Sequence, residues 1–86
     1  MSTIRATALA LLPERQAQFD SCCATHARAV AAGVPKSVLA TQQSVAFALA
    51  TLNTTRAWAG LSPVTGPPMR SLDELLALSP TYSQAA

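Results

Sequence analysis

Residues 33–60 read GVPKSVLATQQSVAFALATLNTTRAWAG, and the fold turns on how this stretch is parsed. Pro35 suits the first turn of a helix, where the leading amides have no intrahelical acceptor to lose. Gly60 suits its end, where the chain needs a residue tolerant of positive φ. Between them Ala, Leu and Gln favour helix, alternation never lasts, and a helix over about 35–59 is expected. Gly33, two residues before Pro35, caps a preceding helix over about 13–32. So short a connection folds the two into an antiparallel hairpin.

The second helix has an unusual surface. Nineteen consecutive residues, Ser37 to Thr55, carry no charge. One face holds Val38, Val45, Leu49 and Leu52 with Gln42 inserted. Another holds Leu39, Ala40, Phe47, Ala50, Thr54 and Trp58, and a single neighbouring helix cannot cover both. A further neighbour is therefore expected, and Ala46, Ala48 and Ala50 would let it approach closely. A membrane span is not expected, because Gln, Thr, Ser and Asn interrupt the stretch and its longest apolar run is only Val45 to Ala50.

Outward from this helix the reading stays all-α. Upstream, Leu12, Gln16, Phe19, Cys23, Ala27 and Val30 draw one stripe at helical spacing. Ile4, Ala8, Leu11 and Leu12 extend helical spacing toward the N-terminus, as a short separate segment or as a continuation through Pro13. Downstream, Pro63, Gly66, Pro67 and Pro68 make residues 61–70 an extended connector. Ser71 and Glu74 then form a capping box before Leu72, Leu75, Leu76 and Leu78, which predicts a short amphipathic helix over 72–78 stopped by Pro80. Residues 80–86 are expected to be a flexible tail, and residues 1–86 a single small domain.

Composition narrows the function. A chain of 86 residues has little core to stabilise it, and eighteen of its apolar residues are Ala, which bury little area each. Association would supply further burial. Six basic and four acidic residues are scattered singly, so no basic track follows a nucleic-acid backbone. The two cysteines, Cys22 and Cys23, are adjacent and cannot staple distant parts of a fold, which fits a reducing, cytoplasmic setting. The run Ala8 to Leu12 is too short for a secretory signal and is followed at once by Pro13, Glu14 and Arg15.

Chemistry-bearing groups are few. Cys22 and His26 lie one helical turn apart, yet two or three such ligands do not close a tetrahedral metal site, so no metal or cofactor is expected. Asp73 and Glu74 suit the positive end of a helix, and Ser21 near His26 lacks an orienting acid and an oxyanion site, so no enzyme is expected. Trp58-Ala59-Gly60 matches the W-x-G tripeptide of small secreted helical hairpins, but it follows the second helix instead of joining two. Leu72-Asp73-Glu74-Leu75-Leu76 fits a receptor-docking spacing that any short amphipathic helix produces.

The resulting expectation is a non-enzymatic helical module for protein–protein contact, self-associating or an accessory subunit of a larger bacterial or viral assembly. Leu39, Phe47, Ala50 and Trp58 form its contact face. Leu72, Leu75 and Leu76 either close the hairpin's own core or reach a neighbour. The alternatives are a small inhibitor or regulator of one target protein, or a peripheral coat on a lipid or polymer surface.

Overall fold

The computed structural model describes residues 2–78, which form three helices: α1 (Ser2–Ala32), α2 (Pro35–Trp58) and α3 (Leu72–Leu78). α1 and α2 pack along their length as an antiparallel hairpin, and α3 packs on α2. The result is a rod of 56 × 17 × 13 Å. The expected tail over 80–86 lies outside the described residues.

α1 runs through Pro13 as one helix, so the N-terminal segment continues the long helix instead of standing apart. Pro13 removes the donor that would serve the Leu9 carbonyl, but Leu9 and Pro13 are both exposed and solvent can replace it. Gly33, at φ 75°, ends α1, and its amide bonds to the carbonyls of Ala29 and Val30. Val34 then holds an extended backbone and Pro35 opens α2. At the other end Gly60, at φ 80°, completes a Schellman arrangement: its amide reaches Ala57 and the Leu61 amide reaches Arg56. The Arg5 guanidinium stands 3.9 Å from where a Gly60 side chain would begin, a cation beside the negative end of α2.

The inward line of α1 is Ala8, Leu12, Arg15, Phe19, Cys22, His26 and Ala29, all buried or half-buried, at alternating steps of four and three. This is the spacing that keeps a seam on a partner helix. Ala27 and Val30, expected on the stripe, are exposed instead. Each sits one residue, about 100°, beyond the seam positions His26 and Ala29. On α2 the inward side is Val38, Gln42, Val45, Ala48, Leu52 and Thr55. Phe19, Val45, Ala48 and Leu52 form the main core, with Leu12, Cys22, Cys23, Leu49 and Val64 packed around it.

His26 is buried and its Nδ1 lies 2.8 Å from the Thr41 hydroxyl, which itself donates to the Ser37 and Val38 carbonyls. While that hydroxyl hydrogen is turned to the carbonyls, the bond to the ring is donated by Nδ1–H to the Thr41 oxygen. The pair also fixes the register, placing His26 level with Thr41 and Arg15 level with Leu52.

The connector does not loop out. It returns along α2 in extended form, held by two side-chain carboxamides. Asn53 donates to the Val64 carbonyl at 3.0 Å and accepts the Val64 amide at 2.9 Å. Gln42 does the same for Arg70, at 2.7 and 2.9 Å. Eleven helical residues separate the carboxamides, about 16 Å of rise. Six extended residues separate their targets, about 19 Å at a polyproline-like rise. The lengths match closely enough for both clamps to close together. Between them Gly66 passes over the core, where an added side-chain carbon would lie 3.2 Å from Leu49 Cδ2 and 3.5 Å from Phe19 Cζ. Arg56 Nε adds a bond to the Ser62 carbonyl at 2.7 Å.

The capping box forms as the sequence spells it, with Glu74 amide to Ser71 Oγ at 3.2 Å and Ser71 amide to Glu74 Oε1 at 3.4 Å. It aims α3 back at the hairpin, where Leu75 is buried with Val38, and Ala29, Leu39 and Leu76 pack around the two.

Gln42→Met preserves the shape of this buried side chain but strands the Arg70 amide and carbonyl. It is expected to lower stability by about 1–3 kcal/mol, against about 0.5 kcal/mol or less for the exposed Gln43→Met, both read from urea denaturation midpoints.

Candidate interaction face

The two flanks of the hairpin differ. On one, the connector and α3 cover the line between α1 and α2. They cover it only in part, leaving a half-open pocket of about 760 Å³ lined by Cys23, His26, Val38, Gln42, Pro67 and Leu75 among others. On the other flank nothing in the described residues lies over the hairpin, and a shallower groove of about 330 Å³ runs between the helices. Leu11 and Arg15 of α1 form one wall, and Phe47, Ala50, Thr51, Thr54, Thr55 and Trp58 of α2 form the other.

Helical geometry explains why these α2 residues share a face. Phe47, Thr51, Thr54 and Trp58 recur at steps of four, three and four, so all four lie within a narrow arc. The aromatics bracket the face and stay open to solvent, Phe47 at 71% and Trp58 at 62% exposure. Ala50 is exposed between them. Thr51 and Thr54 turn their hydroxyl hydrogens back to the Phe47 and Ala50 carbonyls at 3.0 and 2.9 Å, leaving their oxygen lone pairs as acceptors on the face. Across the groove, Arg15 Nε is buried with no hydrogen-bond partner among the described residues. The groove therefore combines two large apolar edges, a floor of small residues with acceptor oxygens, and one cationic donor without an acceptor.

The residues expected on the contact face separate into two places. Phe47, Ala50 and Trp58 are together on the open groove. Leu39 is not with them: it lies about 80° around the helix from Phe47, half-buried beneath α3. Leu75 and Leu76 pack onto the hairpin of their own chain, and the Leu72 side chain lies outside the described residues. Sequence reasoning missed Arg15, Thr51 and the Gln42 and Asn53 clamps. Gln42 interrupting an apolar stripe, with Asn53 three turns later, was the available signal.

No group of three or more His, Cys, Asp or Glu residues able to hold a metal occurs among the described residues. Nor is any described helix long and apolar enough to cross a membrane. Burial raises the Cys23 thiol above its usual range, with the Asp20 carboxylate and Cys22 pushing the same way.

No protein-family model matches the chain, and searches of the curated proteins and of the solved structures return no match either. The functional reading therefore rests on the geometry of the groove.

A raised pKa keeps Cys23 protonated, and the thiolate is the reactive form. Cys23 in a Cys22→Ala chain, which keeps burial and Asp20 as causes of the raised pKa, is expected to react more slowly with an aromatic disulfide reagent at neutral pH than free cysteine does, and to reach the free rate on denaturation.

Proposed function

We propose that this chain is a non-enzymatic helical module whose work is to bind protein through the open groove of the hairpin. The observation that supports the reading is the contrast between the flanks. This protein uses a clamped connector and a capped helix to cover one side, yet leaves Phe47 and Trp58 at 71% and 62% exposure on the other. Isolated exposed apolar residues need no explanation, but two aromatics three turns apart on one charge-free face, bracketing a groove, have the composition of an interaction site.

The main core is small, with Phe19, Val45, Ala48 and Leu52 at its centre. Covering the groove would extend burial to the open side and place an acceptor near Arg15 Nε. Among the described residues the groove offers no nucleophile with a base and no pair of carboxylates, which favours binding over catalysis. A coat on a lipid surface has less support, since Arg15 is the only cation among the described residues lining the groove and anionic headgroups would reward several.

A photo-crosslinking residue placed at Phe47 is expected to form covalent adducts with protein in a lysate of the source cells, or with the chain itself. The same residue at Ala24, an exposed position outside the groove, is expected to form none. Equal labelling from both sites, or none from Phe47, would remove the reading.

A further inference from the structure

The groove has a symmetry that names its occupant. Its α2 wall consists of Phe47, Ala50, Thr51, Thr54, Thr55 and Trp58. Phe47 and Trp58 are equidistant from the point midway between Leu52 and Asn53, and so are Thr51 and Thr54. Read in either direction, these four are one large aromatic, two threonines and one large aromatic, with exposed Ala50 beside them and Thr55 buried on the inward side of α2. A face that reads alike in both directions is what a two-fold interface requires, because there each residue meets its mirror position on the other copy.

Resting on the reading of the groove as a protein-binding face, we propose that its partner is a second copy of this chain, with the two α2 helices crossing antiparallel about a two-fold axis at Leu52 and Asn53. Phe47 of each copy then packs against the partner's Trp58, and Thr51 against the partner's Thr54. The steps of four, three and four are those of a coiled-coil seam, and an antiparallel seam pairs unlike positions in this way. Two hairpins joined so make a four-helix bundle.

Three features favour a second copy. The first is polarity. The Thr51 and Thr54 hydroxyls have given their hydrogens to α2 and present acceptor oxygens, while Arg15 carries a buried Nε–H without an acceptor. The register set by His26 and Thr41 puts Arg15 level with Leu52, at the height of the axis, where the partner's threonines converge. The second is closeness of approach, since the centre of the wall holds only Ala and Thr and the bulk stands at its ends. The third is area. At the observed exposures, covering both aromatics on both copies removes roughly 500 Å² from solvent. The rest of the groove, Leu11, Arg15, Ala50, Thr51 and Thr54 on both copies, adds to this and brings the total toward the roughly 1,000 Å² at the lower end of specific interfaces.

The register can be tested apart from the face. Phe47→Glu and Trp58→Lys each place one charge in both aromatic layers. Both sites are exposed in the single chain, so each variant should keep its helicity. Sedimentation equilibrium at concentrations up to the order of 100 µM should show the wild-type chain, of 8.9 kDa, at about twice its monomer mass and each variant at the monomer mass. Mixing the two variants should restore the dimer as a heterodimer. One layer then pairs the introduced glutamate with the introduced lysine, the other keeps the original contact of Phe47 with Trp58, and association should weaken at high salt. A parallel crossing would bring Phe47 to Phe47 and could not be rescued by mixing. Variants that stay dimeric would exclude the face, and a mixture that stays monomeric would exclude the antiparallel register. A monomeric wild-type chain would exclude the second copy as partner, while crosslinks from Phe47 to a different protein would still support the binding role.

Discussion

Two carboxamides hold this architecture together. A hairpin rich in alanine offers a narrow core, and the segment after it, rich in proline, cannot join a helix or a sheet. Its peptide groups still need partners wherever they leave water. Asn53 and Gln42 supply them by presenting the donor and acceptor pattern of a neighbouring strand, one residue at a time. Both clamps project from one side of α2, so the connector is laid along a single flank. Gly66 then fits over Phe19 and Leu49, and the capping box at Ser71 is delivered to the end of the hairpin where α3 can bury Leu75 against Val38.

The same arrangement decides which surface stays open. The carboxamides lie on the flank away from Phe47 and Trp58, so the segment that shelters one edge of α2 does nothing for the other. Arg15 adds to this asymmetry. It occupies a seam position on α1, between Leu12 and Phe19, where an apolar residue would ordinarily complete the zipper. Its long side chain instead runs into the groove and leaves Nε buried without an acceptor. A buried N–H left in that way costs free energy, which an acceptor oxygen brought to it would offset. The polar floor of the groove and its aromatic rims are thus parts of one surface.

Much of the fold was legible because it is written in local signals. Gly33 and Pro35 set the turn, Gly60 the end of α2, and Ser71 with Glu74 the start of α3, each through backbone chemistry that acts within a few residues. The continuity of α1 through Pro13 was not legible, because an interior proline is tolerated only where the orphaned carbonyl faces solvent, and that depends on which side the helix buries. The stripe on α1 drifted for a related reason. Ala27 and Val30 look more apolar than His26, but His26 gains Thr41 as a partner across the interface, a contact fifteen residues away that no local spacing announces. On the groove, Phe47, Ala50 and Trp58 could be found from helical periodicity. Leu39 could not be told from them until α3 was placed, and Arg15 could not be found at all, since a charged residue reads as solvent-facing until its neighbours are known.

The clamps grip peptide groups and leave side chains free, and this divides evolutionary freedom unevenly between the two strands of contact. Thr65, Pro68 and Met69 of the connector are exposed and can drift to many residues compatible with an extended backbone. Gln42 and Asn53, by contrast, have no good substitutes, since no other side chain offers the same paired geometry at the same reach. Diversification is thus expected to concentrate in the strap, with the helix beneath it held to a fixed grammar.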